Sequence, residues 1–367
     1  MPAKLKTTPG QNVNTFEPGK TITLKMLSSH LGLSIAAVSR ILNGSPAARS
    51  IAPAIQERVF KAAKELGYKP NVFARSLRSR RSYTIGVMVS EVSEGYATLV
   101  LSGIEQQLLQ EGYFYFVVSH HHRKDLIAES QNLLMARGVE GLVTVDSPLT
   151  EGLSIPTVAV SGHDQRDGIT NVVINHGRAA MMALSHLQEL GHRKIAFLIG
   201  QAHTSDSSSR WEAIVVAARN LKLEIHKDLV VRLEGDDPTP EPGFRATQKL
   251  LSSGAEFTAL FAFNDMTAIG AMSALREAGR SIPEDVSVVG FDDIQTAGFL
   301  NPGLTTVRQP LKKMGILAAQ TVLRQVHSPN DPLHAARELI VEPEFIVRGS
   351  TGPCGSLSAN GRPVRKS

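Results

Sequence analysis

From Tyr83 onward the sequence alternates between two hydrophobic periods, and this alternation restricts the fold more than any other feature. β-rich runs at Thr84 to Val89, Tyr113 to Ser119 and Gly141 to Val145 are separated by helical stretches at roughly Thr98 to Gln110 and Leu126 to Ala136. A second series starts near Asn175 with the helix Arg178 to Leu190, the strand Lys194 to Ile199, the helix Arg210 to Leu221 and the strand Leu229 to Leu233. It continues through the helix Gly243 to Leu251, the strand Ala259 to Phe263, the helix Met266 to Ala278 and the strand Val286 to Phe291. Strands joined through helices must run parallel, and a parallel sheet needs helices on both faces. Two such series predict an α/β body of two similar subdomains. Ligands of open α/β sheets sit beyond the carboxyl ends of the strands, here in the cleft between the two sheets.

The first 80 residues follow another rule. Thr23 can cap a helix carrying Leu24, Leu27 and Leu31, and Gly32 supplies a tight turn. Ser34 can cap a second helix that buries Val38, Ile41 and Leu42 and stops at Asn43-Gly44, and a third runs from about Ala54 to Leu66. Three short helices with a glycine turn between the first two predict a small all-α helix-turn-helix head. Charge separates the two parts: residues 1 to 81 hold 14 Lys/Arg against three acids, a net +11, while the remainder holds 25 against 31, a net −6. A basic head on an acidic body implies that the head meets a polyanion.

In a helix-turn-helix the start of the second helix faces base edges in the major groove. Those residues are Ile35, Ala36 and Ala37, followed one turn on by Ser39 and Arg40. Arg40 can bond bidentately to guanine, and Ile35 and Ala36 offer apolar contact that suits a thymine methyl. Phe73 and Leu77, set between arginines, are too apolar for an ordinary linker and fit a minor-groove wedge. Residues 1 to 20 and 350 to 367 lack apolar periodicity and read as a disordered basic arm and a disordered tail. The single cysteine, Cys354, excludes a disulfide framework, and the apolar runs are strand-sized, so a cytoplasmic protein with no membrane partner is expected.

These segments in this order resemble the lactose/galactose-repressor (LacI/GalR) family of bacterial regulators over about residues 21 to 349. The motifs are Leu33-Ser34-Ile35-Ala36-Ala37-Val38-Ser39-Arg40-Ile41-Leu42-Asn43-Gly44, Glu65-Leu66-Gly67-Tyr68-Lys69-Pro70-Asn71 and Ala74-Arg75-Ser76-Leu77 in the head. In the body they are Val139-Glu140-Gly141-Leu142, Leu190-Gly191-His192-Arg193-Lys194-Ile195-Ala196, Phe263-Asn264-Asp265, Val288-Val289-Gly290-Phe291-Asp292-Asp293 and Leu304-Thr305-Thr306-Val307-Arg308-Gln309-Pro310.

The resemblance implies a repressor that binds a near-palindromic double-stranded DNA operator as a homodimer, under the control of a small-molecule effector. DNA would be met by Ser34, Ile35, Ala36, Ala37, Ser39, Arg40 and Asn43 in the head (21–68). Asn71, Ala74, Arg75, Leu77 and Arg78 would meet it from a hinge helix (69–81), with Leu77 in the central minor groove. The body (82–349) would be periplasmic-binding-protein-like, with subdomain 1 at about 82–173 and 292–327, subdomain 2 at about 174–291 and 328–349, and chain crossings near Val173, Phe291 and His327. Effector contacts would come from Tyr96, His120, Arg210, Asp265 and Asp292. A sugar leads as effector, with a nucleobase or phosphorylated sugar as alternatives, and inducer and corepressor logic both stay open.

The chain departs from the family pattern at Ala37, at a longer loop from Ser45 to Pro53 with an extra Arg49, at Glu94-Gly95-Tyr96-Ala97 and at Asn175-His176, the last two on the cleft. No cofactor and no metal is expected: His120, His121 and His122 leave a strand in different directions, so they do not converge on an ion. Nor is an enzyme expected, since no dinucleotide fingerprint, nucleophile elbow or phosphate loop occurs. The other class to weigh is an extracytoplasmic sugar receptor, against which the basic head argues.

Overall fold

The computed structural model describes residues 22–68, 81–92, 95–150, 153–202, 204–235, 237–328 and 337–355. The expected basic arm (1–20) and nearly all of the hinge segment, including Asn71, Ala74, Arg75, Leu77 and Arg78, lie outside the described residues. The chain divides into two compact units, Met1–Arg81 and Ser82–Ser367.

In the head, α1 (Leu24–Leu31), α2 (Ile35–Leu42) and α3 (Pro53–Glu65) form where the caps and periodicity place them. Thr23 and Ser34 accept from the backbone N–H of Met26 and Ala37, each satisfying an otherwise orphaned donor of a helix start. The turn between α1 and α2 needs a left-handed residue, and Gly32 takes it at φ 64°. Leu27, Val38, Ile41 and Val59 are fully buried and form the common core. The extended loop holds a short 3₁₀ turn, Pro46–Ser50, tied to α3 by Gln56, whose amide donates to the carbonyls of Ala48 and Ile51.

The body contains two six-stranded sheets. The first has strand order β11-β5-β4-β3-β1-β2 and the second β12-β10-β9-β8-β6-β7. In chain order the first sheet uses β1 (Thr84–Val89), β2 (Phe114–Ser119), β3 (Gly141–Val145), β4 (Thr157–Val160) and β5 (Ile169–Ile174). The second uses β6 (Ile195–Ile199), β7 (Val230–Arg232), β8 (Ala259–Ala262), β9 (Ser287–Asp292) and β10 (Thr305–Arg308). Then β11 (Glu338–Val341) returns to the first sheet and β12 (Glu344–Ile346) to the second. All pairings are parallel except β10 with β12. The central strands are buried along their whole length because helices cover both faces.

The pairing corrects two expected crossings. The first, near Val173, falls where anticipated, at the end of β5. The second does not lie near Phe291, because β10 hydrogen-bonds to β9 and belongs to the second sheet; the chain crosses after it, at Gln309-Pro310. The third lies between β11 and β12 rather than near His327. Residues 292–308 therefore belong to subdomain 2, and 337–341 to subdomain 1.

Each subdomain holds a helix pair in glycine-mediated contact. In the first, α4 (Tyr96–Gln110) crosses α10 (Leu311–His327), and a Cβ on Gly103 would sit 2.0 Å from the Lys312 carbonyl oxygen, one on Gly315 2.1 Å from that of Val100. In the second, α8 (Glu241–Ser252) meets α9 (Asp265–Glu277) through Gly243 and Gly270 in the same reciprocal way. The remaining helices are α5 (Lys124–Ala136), α6 (His176–Glu189) and α7 (Ser205–Asn220).

The start of the expected C-terminal tail is ordered. Ser350 is fully buried, its hydroxyl donating to the Val288 carbonyl, and the Cys354 N–H donates to the Leu190 carbonyl, so these bonds hold residues 350–354 on subdomain 2. Residues 356–367 lie outside the described residues.

Candidate DNA-reading face and effector cleft

The second head helix sorts its side chains by face. Val38 and Ile41 turn inward, while Ser34, Ile35, Ala36, Arg40 and Asn43 are exposed and Ala37 is half-buried. Ile35 is 48% exposed at the helix start, a position where a large apolar side chain gains nothing in the free protein. Among the described residues the Arg40 side chain has no partner, which leaves its guanidinium available. Ser39 differs from expectation: it is buried, and its hydroxyl lies 3.2 Å from the Asn43 amide that donates to it, because position 39 follows Val38 round to the core side. The Arg58 side chain donates to the Leu31 carbonyl, tying α3 to the turn that aims α2.

The body cleft is built from residues just past the carboxyl ends of strands. Ser90 and Glu91 follow β1, Asp146 follows β3, Ser161 follows β4, Gln201 follows β6, Phe263 and Asn264 follow β8, and Asp292 closes β9. Several leave their strands in the left-handed region, among them Asp146 at φ 43°, Ser161 at φ 54° and Asp292 at φ 116°, which turns the side chains off the sheet. The cleft leaves about 830 Å³ free of protein atoms, counting its open mouth, and an inner recess of about 380 Å³ shares Tyr96, Asp146 and Asp292 with it.

The wall of the recess is an ion network. The Asp206 Oδ2 accepts from Arg210 at 2.5 Å, and its Oδ1 lies 2.9 Å from His163 Nε2 and 3.0 Å from His176 Nε2. Arg210 also donates to the Phe263 carbonyl, and its guanidinium lies between two rings, 4.5 Å from the centre of Phe263 and 3.7 Å from that of Phe291. Burial opposes ionisation of Asp206, but Arg210, His176 and the hydrogen bond from His163 outweigh it and hold this carboxyl well below the usual range. The neighbours go the other way: burial, with Asp206 nearby, pushes Asp146 up to about 8, and burial pushes Asp292 up to about 7 despite Arg210. The Tyr96 hydroxyl donates to Ser161 at 2.7 Å, and burial and the nearby carboxylates raise its pKa well above the ordinary value.

His163, His176 and Asp206 bring their ligand atoms within 4.8 Å of one another, a donor set that suits a transition metal. Here the carboxylate already serves both imidazoles and Arg210. An ion could enter only if those hydrogen bonds gave way.

Comparison with known proteins settles the family. The model of bacterial regulatory proteins of the lacI family matches residues 29–71, and that of the periplasmic binding protein-like domain matches 184–351. The HTH-type transcriptional repressor PurR of Haemophilus influenzae (strain ATCC 51907 / DSM 11121 / KW20 / Rd) is 30% identical over 337 residues, covering 89% of this chain and 98% of the relative. The chain belongs to the lacI family of bacterial regulatory proteins. The ribose operon repressor of the same organism is 28% identical over 334 residues, again covering 89% and 98%. Among solved structures, the lac repressor dimer bound to operator and the anti-inducer ONPF is similar with TM-score 0.79 and 26% identity, covering 91% of this chain and all of that one. A complex of the transcriptional regulator CelR with cellobiose has TM-score 0.67 and 27% identity, covering 90% and 99%.

In this lacI-family regulator the expected effector residues divide. Tyr96, Arg210 and Asp292 line the recess together. Asp265 does not join them: its side chain is fully buried, with Oδ1 accepting from the Thr306 hydroxyl at 2.6 Å and Oδ2 from the Ile294 N–H at 2.9 Å, so both oxygens serve the packing of α9 on β9 and β10. Its neighbour Asn264, the cap of α9, faces the cleft instead. His120 is also buried, bonded to Ser147 at 2.9 Å, with burial and the adjacent histidines lowering its pKa to about 4; His122 is the member of that run on the cleft. Arg210 does not open its helix. The helix starts at Ser205, which puts Asp206 one turn before Arg210 on the same face. Asp146, Asp206 and His163 went unread in the sequence; the only signal for them was position, one to three residues past a strand or in the first turn of a helix.

Proposed function

We infer that this chain is a transcriptional repressor that binds a near-palindromic operator as a homodimer and is switched by a small molecule held in the body cleft. It acts by binding rather than catalysis, in the cytoplasm. The observation that carries this is the exposed face of α2, where Ile35, Ala36 and Arg40 project while the rest of the helix is consumed by the core. In this reading Arg40 reads a guanine, Ser34, Ala37 and Asn43 contact the backbone around it, and Asn71, Ala74, Arg75, Leu77 and Arg78 act at the hinge. Homodimer formation draws support from the edge strand β2, which exposes Phe114, Phe116 and Val117, since an edge strand with an apolar row needs a covering partner. The similar lac repressor is a dimer on its operator. In the cleft, Tyr96, Asp146, Arg210, Asn264 and Asp292 would hold the effector and couple it to the angle between the subdomains. No helix among the described residues is long and apolar enough to cross a membrane.

The test is an electrophoretic shift of the full chain on fragments of its own promoter region. Arg40→Ala should weaken the specific complex by about 1–3 kcal/mol per half-site and leave nonspecific binding in place. A uniform loss on all sequences would make Arg40 a phosphate contact and move the readout elsewhere.

A further inference from the structure

We propose that the ligand of the body cleft is a hydroxylated amine whose protonated nitrogen seats between the carboxyl groups of Asp146 and Asp292. The proposal rests on reading the cleft as the effector site and adds the charge and hydrogen-bonding class of what enters it.

Among the described residues Arg210 is the one Lys or Arg lining either the cleft or its recess. It is already engaged: its terminal nitrogens donate to Asp206 and to the Phe263 carbonyl, and its guanidinium lies over the rings of Phe263 and Phe291. Asp206 is its bonded carboxylate, and its charge offsets burial only in part at Asp146 and Asp292. Four further acids line the space, Asp146 and Asp292 in the recess and Glu91 and Asp237 in the outer cleft. An anionic ligand finds no free cation along this lining to receive it.

Hydrogen bonding points the same way. Among the described residues the Asp146 carboxyl has no side-chain partner, and Asp292 uses one oxygen on Gln309 at 2.7 Å. Of the neighbouring donors, the Tyr96 hydroxyl is committed to Ser161 and both imidazoles to Asp206, while the Asn264 amide faces the same space. The recess thus offers acceptors in excess, and an ammonium supplies donors together with the compensating charge. Arg210 adds an independent requirement. It is 4% exposed and lines the recess, yet its Nε has no acceptor among the described residues. A hydroxyl oxygen beside the amine would meet that need. A metal ion fits less well, because the histidine-bearing part of the wall is closed on Asp206 and only two carboxyl groups are left in the recess.

Burial holds Asp146 up to about 8 and Asp292 up to about 7, so at neutral pH the empty recess keeps protons that a bound cation would displace. Asp146→Asn removes the charge while keeping size and a residue type that tolerates the left-handed backbone at φ 43°.

The test uses the full chain and small-molecule extract of bacterial cells, separated on ion exchangers at pH 7 into cationic, neutral and anionic pools, each treated with EDTA. Melting temperature is followed in wild type and in Asp146→Asn. The expected result is that the cationic pool alone raises the wild-type melting temperature, and that Asp146→Asn needs about tenfold more of that pool for the same shift. A shift from the neutral or anionic pool, or a cationic-pool shift unchanged in Asp146→Asn, would overturn the proposal while leaving the cleft as an effector site. No shift from any pool would overturn the effector reading as well.

Discussion

Replacing Asp206 with asparagine isolates the ion network that walls the recess. The change keeps shape and removes one charge, which leaves the Arg210 guanidinium, 4% exposed and lying over Phe263 and Phe291, without its bonded carboxylate. Breaking a buried pair from one side costs about 3–5 kcal/mol, because the surviving charge stays desolvated. For a unit of this size, at ~2 °C per kcal/mol, the body should melt roughly 6–10 °C lower. The double variant Asp206→Leu/Arg210→Met should recover most of that loss, since replacing both charges with apolar side chains of similar volume is close to neutral. Full recovery is not expected: His163 and His176 lose their shared acceptor, at about 1–3 kcal/mol. Calorimetry of wild type, both singles and the double at pH 7 gives the cycle and its coupling energy. If Asp206→Asn lies within about 1 kcal/mol of wild type, or if the double is less stable than either single, the network does not hold the wall as described.

Three other perturbations follow from the same geometry. Asp146 and Asp292 bind protons more tightly folded than unfolded, so their contribution is complete below about pH 4 and is lost as pH rises through about 7 to 8. Urea stability should fall between pH 5 and 7 by on the order of 1.4 kcal/mol per unit for each group, and Asp146→Asn should flatten the slope; an identical slope in the variant would contradict this. Gly315→Ala places a Cβ 2.1 Å from the Val100 carbonyl oxygen, a backbone atom that cannot move aside, so α4 and α10 must separate, at about 1–3 kcal/mol or more, read as a lower melting temperature of the body. Leu27→Ala empties the centre of the head core at about 2–5 kcal/mol, enough to unfold so small a unit, and should abolish DNA binding while the body melts as in wild type.

What the sequence revealed followed physical rules of unequal strength. The head was readable because each cap and turn residue has a local mechanism, and Thr23, Gly32 and Ser34 act as their chemistry demands. The strands flanked by helices were readable as well, whereas Thr157–Val160, Ile169–Ile174 and Thr305–Arg308 went unread, because no α-helix separates them from the preceding strand and the alternation of periods is missing there. The crossings were misplaced because sheet membership is set by pairing between distant strands, which local pattern does not encode. At the site, the sequence located strand ends but not side-chain direction: Asn264 faces the cleft and Asp265 faces the core, one residue apart at a helix start. Asp206 was hidden in a serine run that reads as loop and forms the first turn of α7.

The central claim, a ligand-switched reader of a symmetric DNA site, is tested most directly by selecting sequences from a random duplex pool with the full chain, with and without the small-molecule pool that shifts its melting temperature. The expected result is convergence on one near-palindromic motif with a guanine at equivalent positions of both halves, lost in Arg40→Ala, and a change in recovery when the small molecules are added. Recovery of sequences without a shared motif, or of a motif that Arg40→Ala leaves intact and small molecules leave unmoved, would contradict it.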